Sequence, residues 1–126
     1  MTRVNLVSPF DLCDQHLLAE HREITRIPNT ILSGKAKVQN IPDRFCLGPG
    51  HVKFFYNKLR WLQYRYNDVH HVCLLRGFQV QYKFPDSLPD ELFNSWEPDA
   101  EDIELSRQRI NERLSNMTPR YTRFKG

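Results

Sequence analysis

The 126-residue chain has no apolar stretch of about 18 residues or more, so no segment is long enough to cross a bilayer as a helix. Its first ten residues, MTRVNLVSPF, also lack the apolar core of a secretory signal. Its three cysteines include no CxxC pair, which argues against a disulfide framework and fits a reducing compartment. We therefore expect an intracellular, cytoplasmic protein.

Motifs for common cofactors are also missing. The chain has no Gly-rich phosphate loop, no HExxH helix and no paired CxxC. His16, Glu20 and Glu23 could share one helical face, but Arg22 and Arg26 beside them disfavour a cation. We expect neither a metal nor another cofactor.

Charge is unevenly distributed along the chain. Residues 1–80 carry 11 Lys/Arg and 6 Asp/Glu (+5), residues 81–104 carry 1 and 8 (−7), and residues 105–126 carry 6 and 1 (+5). Two basic segments flanking an acidic one could form a cationic face for a polyanion. An ordinary mixed surface explains the same counts, so charge alone leaves both interpretations open.

The length and a hydrophobic content of 40% suit one domain, residues 1–126, with one modest core. A first helix is predicted to start at Ser8 as N-cap with Pro9 in its first turn, or one turn later with Asp11 as the cap. Pro28 should kink or end it near Ile27. Its apolar positions recur at helical spacing: Phe10, Cys13, Leu17, Ile24, Ile27 and Ile31.

Two further helices complete an all-α prediction of about three helices with long irregular connections. The second begins after Gly50 and should end at Gly77, where a C-terminal cap belongs. The third follows Asp99 as a cap and stops at Thr118 and Pro119. The predicted inward stripes are Val52, Phe55, Leu59, Leu62, Tyr66, Val69 and Cys73 on the second helix, and Ile103, Ile110, Leu114 and Met117 on the third.

The first helix also carries a polar stripe. Gln15, Ala19, Arg22 and Arg26 recur at spacings of four and three and so share a face, which Ala19 leaves shallow. A solvated surface held by ion pairs explains this spacing, and so does a binding site.

Thr2 adds a chemical argument. Initiator methionine is generally removed before a small second residue, which would expose the α-amine of Thr2. The reference pKa of an α-amine is about 7.7–8.0, against about 10.4 for lysine. A useful fraction of the α-amine is therefore unprotonated, and so nucleophilic, near pH 7. Such an amine near a carboxylate and arginines suits imine chemistry on a sugar.

Four stretches together resemble the pyrimidine-dimer glycosylases of the phage endonuclease V type. They are TRVNL at 2–6, DQHLLAEHRE at 14–23, GHVKFFYNKL at 50–59 and LRGF at 75–78. The resemblance covers residues 1–80 well and the remainder thinly. It implies an all-α, bifunctional enzyme without metal, acting on double-stranded DNA that contains pyrimidine dimers or abasic sites. We expect it to act as a monomer.

By position, the resemblance implies Thr2 as the nucleophile and Glu23 as the catalytic carboxylate. The amine would release the 5′ base of the dimer by forming an imine with the sugar, and β-elimination would then break the strand. The implied DNA contacts are Arg3, Gln15, His16, Arg22 and Arg26. Arg109 and Arg113 on the weakly matching third helix are added as phosphate contacts at i,i+4 spacing.

Two alternatives remain. A retained Met1 would block the amine and leave a damage-binding domain without catalysis. A helical protein-interaction module, using the acidic residues 86–104, would leave the match at Thr2 and Glu23 unexplained.

Overall fold

The computed structural model describes residues 4–117, with side chains as far as Leu114. This part of the chain contains five α-helices and no strand, so the all-α prediction is confirmed. There are also three short 3-10 turns in this part of the chain: Pro9–Asp11 before the first α-helix, Phe55–Asn57, and Asp90–Leu92 before the last one. The helices are α1 (Asp14–Ile24), α2 (Arg26–Leu32), α3 (His51–Phe54), α4 (Leu59–Leu75) and α5 (Ala100–Met117).

The beginning of the first helix differs from the prediction. Ser8 does cap a turn, accepting a hydrogen bond from the amide of Phe10 at 3.3 Å, but this 3-10 turn ends at Asp11. α1 starts only at Asp14, after Cys13 in extended conformation. Phe10 therefore lies outside the register of α1, and its assignment to the apolar face was wrong, since it is 62% exposed.

The break near Pro28 falls at Thr25, two residues earlier than predicted. In a continuous helix the Pro28 ring would collide with the carbonyl of Ile24. Starting α2 at Arg26 puts Pro28 in the first helical turn, where a missing N–H costs nothing. Thr25 stabilises the break by donating its hydroxyl to the carbonyl of Arg22 at 3.0 Å.

The second predicted helix is divided at Lys58, whose backbone (φ −127°, ψ 39°) separates α3 and a 3-10 turn from α4. Its apolar stripe nevertheless holds, since every member from Phe55 to Cys73 is buried and Val52 is half-buried. The Gly77 prediction is confirmed: at φ +85° this glycine lets the amide of Phe78 reach the carbonyl of Cys73 at 3.0 Å.

Asp99 caps α5, as predicted. Its carboxylate accepts from the amide of Asp102 at 2.9 Å, and the Asp102 carboxylate accepts from the amide of Asp99 at 3.1 Å. This reciprocal pair is the acidic form of a capping box. Ile110 is buried and Ile103 and Leu114 are half-buried, whereas the Met117 side chain and the predicted stop at Thr118 lie outside the described residues.

The core consists of two clusters along the contact between α1 and α4, one joining the end of α1 to the start of α4 and the other joining the start of α1 to the end of α4. One is aromatic: Trp61 stacks on Phe55 with centroids 5.4 Å apart, and Trp96 meets both edge-on. The other, aliphatic, surrounds Leu17 and Val69 and receives Ile110 from α5. Leu114 of α5 also packs against this cluster, so α5 is attached to α1 and α4 through their aliphatic side chains. No helix in residues 4–117 is long and apolar enough to span a membrane.

Candidate active site

A cavity of about 190 Å³ opens between α1, α5 and the segment that precedes α1. Its walls bring together four predicted site residues, His16, Glu23, Arg109 and Arg113, around the shallow position Ala19. Asn5, Glu20 and Ile110 complete the lining. The wall that α1 gives to this cavity is therefore the face of His16, Glu20 and Glu23, which meets the polar stripe at Ala19.

Glu20 forms a closed ion pair inside this wall. It is 1% exposed, and Arg65 from α4 donates to it through Nε at 2.6 Å and Nη2 at 2.9 Å. Asn5 donates its side-chain amide to the same carboxylate at 2.9 Å. Three short hydrogen bonds and a paired charge satisfy a group that burial would otherwise destabilise.

Glu23 lies one turn further along the same wall and is held less tightly by its charged neighbour. Its side chain is 11% exposed, and its Oε1 is 3.7 Å from Nη2 of Arg22, an ion-pair distance too long for a hydrogen bond. The backbone of α1 fixes its direction towards the cavity that Asn5 also lines. A carboxylate at a cavity wall can stabilise positive charge or accept a proton there.

Arg109 and Arg113 present two cations to the cavity from successive turns of α5. Arg109 is half-buried, and its Nε atom is buried without a hydrogen-bond acceptor. An unsatisfied buried donor is costly, so an anionic oxygen entering the cavity would gain a charge-assisted bond. The predicted pairing of these arginines at i,i+4 is consistent with this placement.

Arg22 and Arg26 are exposed and line a neighbouring groove of about 400 Å³ together with Lys35. Gln15 is exposed two turns before Arg22 on α1. The structure thus divides the predicted contacts between the cavity and the adjoining surface. Thr2 and Arg3 lie outside the described residues.

Residues 4–7 enter the molecule between the helices and are fixed by side chains from several of them. His51 accepts from the amide of Val4 at 2.8 Å, Ser106 accepts from the amide of Leu6 at 2.9 Å, and Arg65 donates to the carbonyl of Val7 at 2.5 Å. None of these partners was predicted. The available signal was Asn5, the single polar residue in the run VNLV.

The other side of α1 carries a buried histidine. His21 is 1% exposed, and its Nε2 lies 3.0 Å from Nδ1 of His70. Burial, followed by the neighbouring His70, lowers the pKa of His21 from 6.5 to about 4. At neutral pH this ring is uncharged and belongs to the packing of α1 on α4.

Within the described part of the chain, no three histidine, cysteine or acidic side chains meet in a way that could hold a metal ion. Fold and cavity together define a helical protein with two carboxylates and two arginines around one opening. The family model for pyrimidine dimer DNA glycosylase matches residues 1–86. The chain therefore belongs to that family, a family of DNA-repair glycosylases whose targets are pyrimidine dimers in DNA. The resemblance inferred from sequence is confirmed.

The matched region includes both carboxylates of the cavity wall, together with Asn5, His51 and Arg65. It excludes α5, so Ser106, Arg109 and Arg113 are contributed by a part of the chain outside the match.

Proposed function

We propose that this protein is a bifunctional enzyme, a DNA N-glycosylase and abasic-site lyase that uses the α-amine of Thr2 as nucleophile and Glu23 as catalytic carboxylate. The observation that carries the proposal is the cavity shared by Glu23, Asn5 and the two arginines of α5. It combines an acid–base group with anion-binding groups beside the segment that leads to Thr2.

Chain length makes the nucleophile's approach feasible. Only Arg3 separates Thr2 from Val4, so their backbone nitrogens are two residue lengths apart; an extended chain spans at most about 3.6 Å per residue, which limits the α-amine to about 7 Å from the Val4 amide nitrogen. Asn5, the next residue, lines the cavity. This short tether supports an approach of the amine to the cavity that Asn5 and Glu23 both line.

The first step is displacement at the sugar. The amine nitrogen forms a bond to C1′ of the 5′ nucleotide of the dimer, the glycosidic bond breaks, and the base leaves with the bonding electrons and takes up a proton. The amine loses protons as the sugar ring opens, which gives an imine. The Glu23 carboxylate stabilises the positive charge that develops on the sugar.

The second step is β-elimination. A proton leaves C2′, the C3′–O bond breaks, and the 3′ phosphate departs; water then hydrolyses the imine and restores the amine. Glu23 is placed to assist removal of the C2′ proton. Both steps need only the protein, DNA and water.

The DNA strand is proposed to lie across the cavity and the adjoining groove. Arg109, Arg113 and His16 line the cavity, and Arg22 and Arg26 line the groove. Gln15 and Arg3 are assigned as further contacts. Phosphate contacts of this kind make binding strongly dependent on salt.

Borohydride trapping tests the proposal. Reduction of the imine should yield a covalent complex between the protein and abasic-site duplex, with the adduct on Thr2. Insertion of one glycine after Met1 should lower trapping at least about 10²-fold, because misplacement of about 1 Å can cost that much. An adduct on a lysine would disprove the assignment of the nucleophile.

Two alternatives give different results in the same experiment. A damage-binding domain without catalysis would bind dimer-containing duplex but form no adduct. A protein-interaction module would bind neither dimer-containing nor abasic-site duplex with preference over undamaged DNA.

A further inference from the structure

His51 connects the loop before α3 to the segment that carries the proposed nucleophile. Its ring is 2% exposed and makes two short contacts with backbone groups. Nε2 lies 2.8 Å from the amide nitrogen of Val4, and Nδ1 lies 2.8 Å from the carbonyl oxygen of Cys46. The partners are 47 and 5 residues away along the chain.

These contacts determine the protonation of the ring. The Val4 amide can only donate, so Nε2 must accept and carry no proton. The Cys46 carbonyl can only accept, so Nδ1 must donate and carry the proton. Both bonds exist together only in the neutral Nδ1–H tautomer, because the other tautomer and the imidazolium each place an N–H against the Val4 N–H.

The surroundings of His51 fix its orientation. The rings of Phe45 and Phe55 meet it edge-on, each with a centroid distance of 5.5 Å. Gly50 before it has φ +90°, and a Cβ there would lie 3.2 Å from Pro42. A side chain at position 50 would thus be strained and crowded, and glycine permits the turn that brings Cys46 under the ring.

We propose that His51 is a positioning residue for catalysis: in its Nδ1–H tautomer it fixes the backbone of Val4 and thereby sets the direction in which the α-amine of Thr2 enters the cavity. The proposal rests on the function proposed above. Val4 is the first described residue after the nucleophile, and its side chain is 1% exposed in the core. His51 contacts no substrate in this scheme and acts only through Val4.

A matched pair of substitutions separates this role from simple packing. The amide of glutamine occupies the region of Nε2, so His51→Gln retains an acceptor for Val4 and loses the bond to Cys46. The amide of asparagine occupies the region of Nδ1, so His51→Asn retains the bond to Cys46 and loses the acceptor for Val4. Each variant thus loses one of the two hydrogen bonds that the His51 ring makes in the wild-type protein.

The readouts are the single-turnover rate of borohydride trapping on abasic-site duplex and the Kd for that duplex. We expect His51→Asn to lose about 10²-fold in trapping rate and His51→Gln less than about tenfold, with Kd within about threefold of wild type in both. Equal losses in the two variants, or a larger loss in His51→Gln, would show that His51 acts only as core packing and would overturn the proposal.

Nitrogen NMR of the wild-type protein provides a measurement that does not depend on activity or on the folding of a variant. The proposal requires Nδ1 of His51 to be protonated, Nε2 to be unprotonated, and the Val4 amide to be protected from hydrogen exchange. A proton on Nε2 overturns it. If the wild-type adduct maps to a lysine, the proposed nucleophile fails, while the tautomer and the Val4 protection still test the His51 contact separately.

Discussion

The surroundings of Glu20 and Glu23 differ sharply, although the two carboxylates line one cavity from adjacent turns of α1. Around Glu20, Arg65 and Asn5 supply three donors within 2.9 Å. Around Glu23, the cation of Arg22 is half-exposed and 3.7 Å away. The first region holds three parts of the chain together, and the second keeps its carboxylate within reach of a substrate.

If Glu23 is catalytic, as we propose, this contrast teaches that burial alone does not distinguish a structural carboxylate from a catalytic one. Both glutamates are buried residues. What differs is the arginine beside each one: Arg65 is buried and donates twice to Glu20 within 2.9 Å, whereas Arg22 is half-exposed and 3.7 Å from Glu23. A carboxylate committed to short bonds with a buried cation gains little from a new partner. The following predictions would break or sharpen this distinction.

The largest effect is expected at Glu23. Glu23→Gln should lower the single-turnover rate of glycosidic-bond cleavage in dimer-containing duplex by about 10²–10⁴-fold, because the amide can neither accept the proton nor stabilise the cation. Circular dichroism and affinity for the duplex should stay near wild type. The matched control is Glu112→Gln, an exposed carboxylate on α5, which should leave the rate unchanged. Near-wild-type cleavage by Glu23→Gln would refute its catalytic role.

Glu20→Gln should act on stability. Removing one charge leaves Arg65 buried without its counter-ion, and breaking such a pair costs about 3–5 kcal/mol in the free energy of unfolding. Urea denaturation measures this loss in the free energy of unfolding. The double variant Glu20→Met with Arg65→Met should be more stable than Glu20→Gln, because it leaves no buried charge. A Glu20→Gln protein as stable as wild type would mean that the ion pair is not structural.

The His21 side of α1 offers a test that leaves the cavity wall untouched. The pKa of His21 is about 4 in the folded protein and about 6.5 in an unfolded chain, so between these values only the unfolded chain binds the proton. The free energy of unfolding should therefore fall as pH drops from 6.5 to 4, by up to about 3 kcal/mol from this group.

Denaturation of wild type and His21→Phe across this pH range measures that contribution as the difference between their slopes. His71→Gln, on an exposed position of the same helix as His70, is the control and should keep the wild-type slope. If the free energy of unfolding has the same pH dependence in wild type and His21→Phe, His21 does not have a lowered pKa in the folded protein.

The smallest effect is expected in the groove. If about five phosphates are contacted, the slope of log affinity against log salt should be about −4 to −5. Arg26→Ala should reduce its magnitude by about 1. The control is Arg107→Ala, because Arg107 lies near Asp11 at another opening. Equal slopes for Arg26→Ala and wild type would remove Arg26 from the DNA surface.

Local patterns allowed much of the fold to be predicted. The Asp99 cap, the Gly77 stop and the apolar stripe of α4 depend on residues close together in sequence, and all three were correct. The end of the first helix was predicted near Ile27 but lies at Thr25, because the Pro28 ring collides with the carbonyl four residues before it in a continuous helix.

The candidate site was predictable only where its residues share a helix or a family motif. His16 and Glu23 lie on α1, and Arg109 and Arg113 lie on α5, but that these two helices enclose one cavity depends on tertiary packing. The pairing of Glu20 with Arg65 spans 45 residues and has no local signature. From the sequence, Glu20 was accordingly considered only with His16 and Glu23, as a helical face on which a metal ion is disfavoured, without its structural role.

The hydrogen bonds of residues 4–7 also determine the order of assembly. Their partners His51, Arg65 and Ser106 lie 47, 58 and 100 residues further along the chain. Since the closure of such long loops gains contacts only when the partners are already in place, we expect this segment to dock after the helices have met. During synthesis at about 5–20 residues per second, it waits about 5–20 s for Ser106 to be made. The part of the chain translated first is thus completed last, and a truncated product lacking α5 would have a cavity without its closing wall.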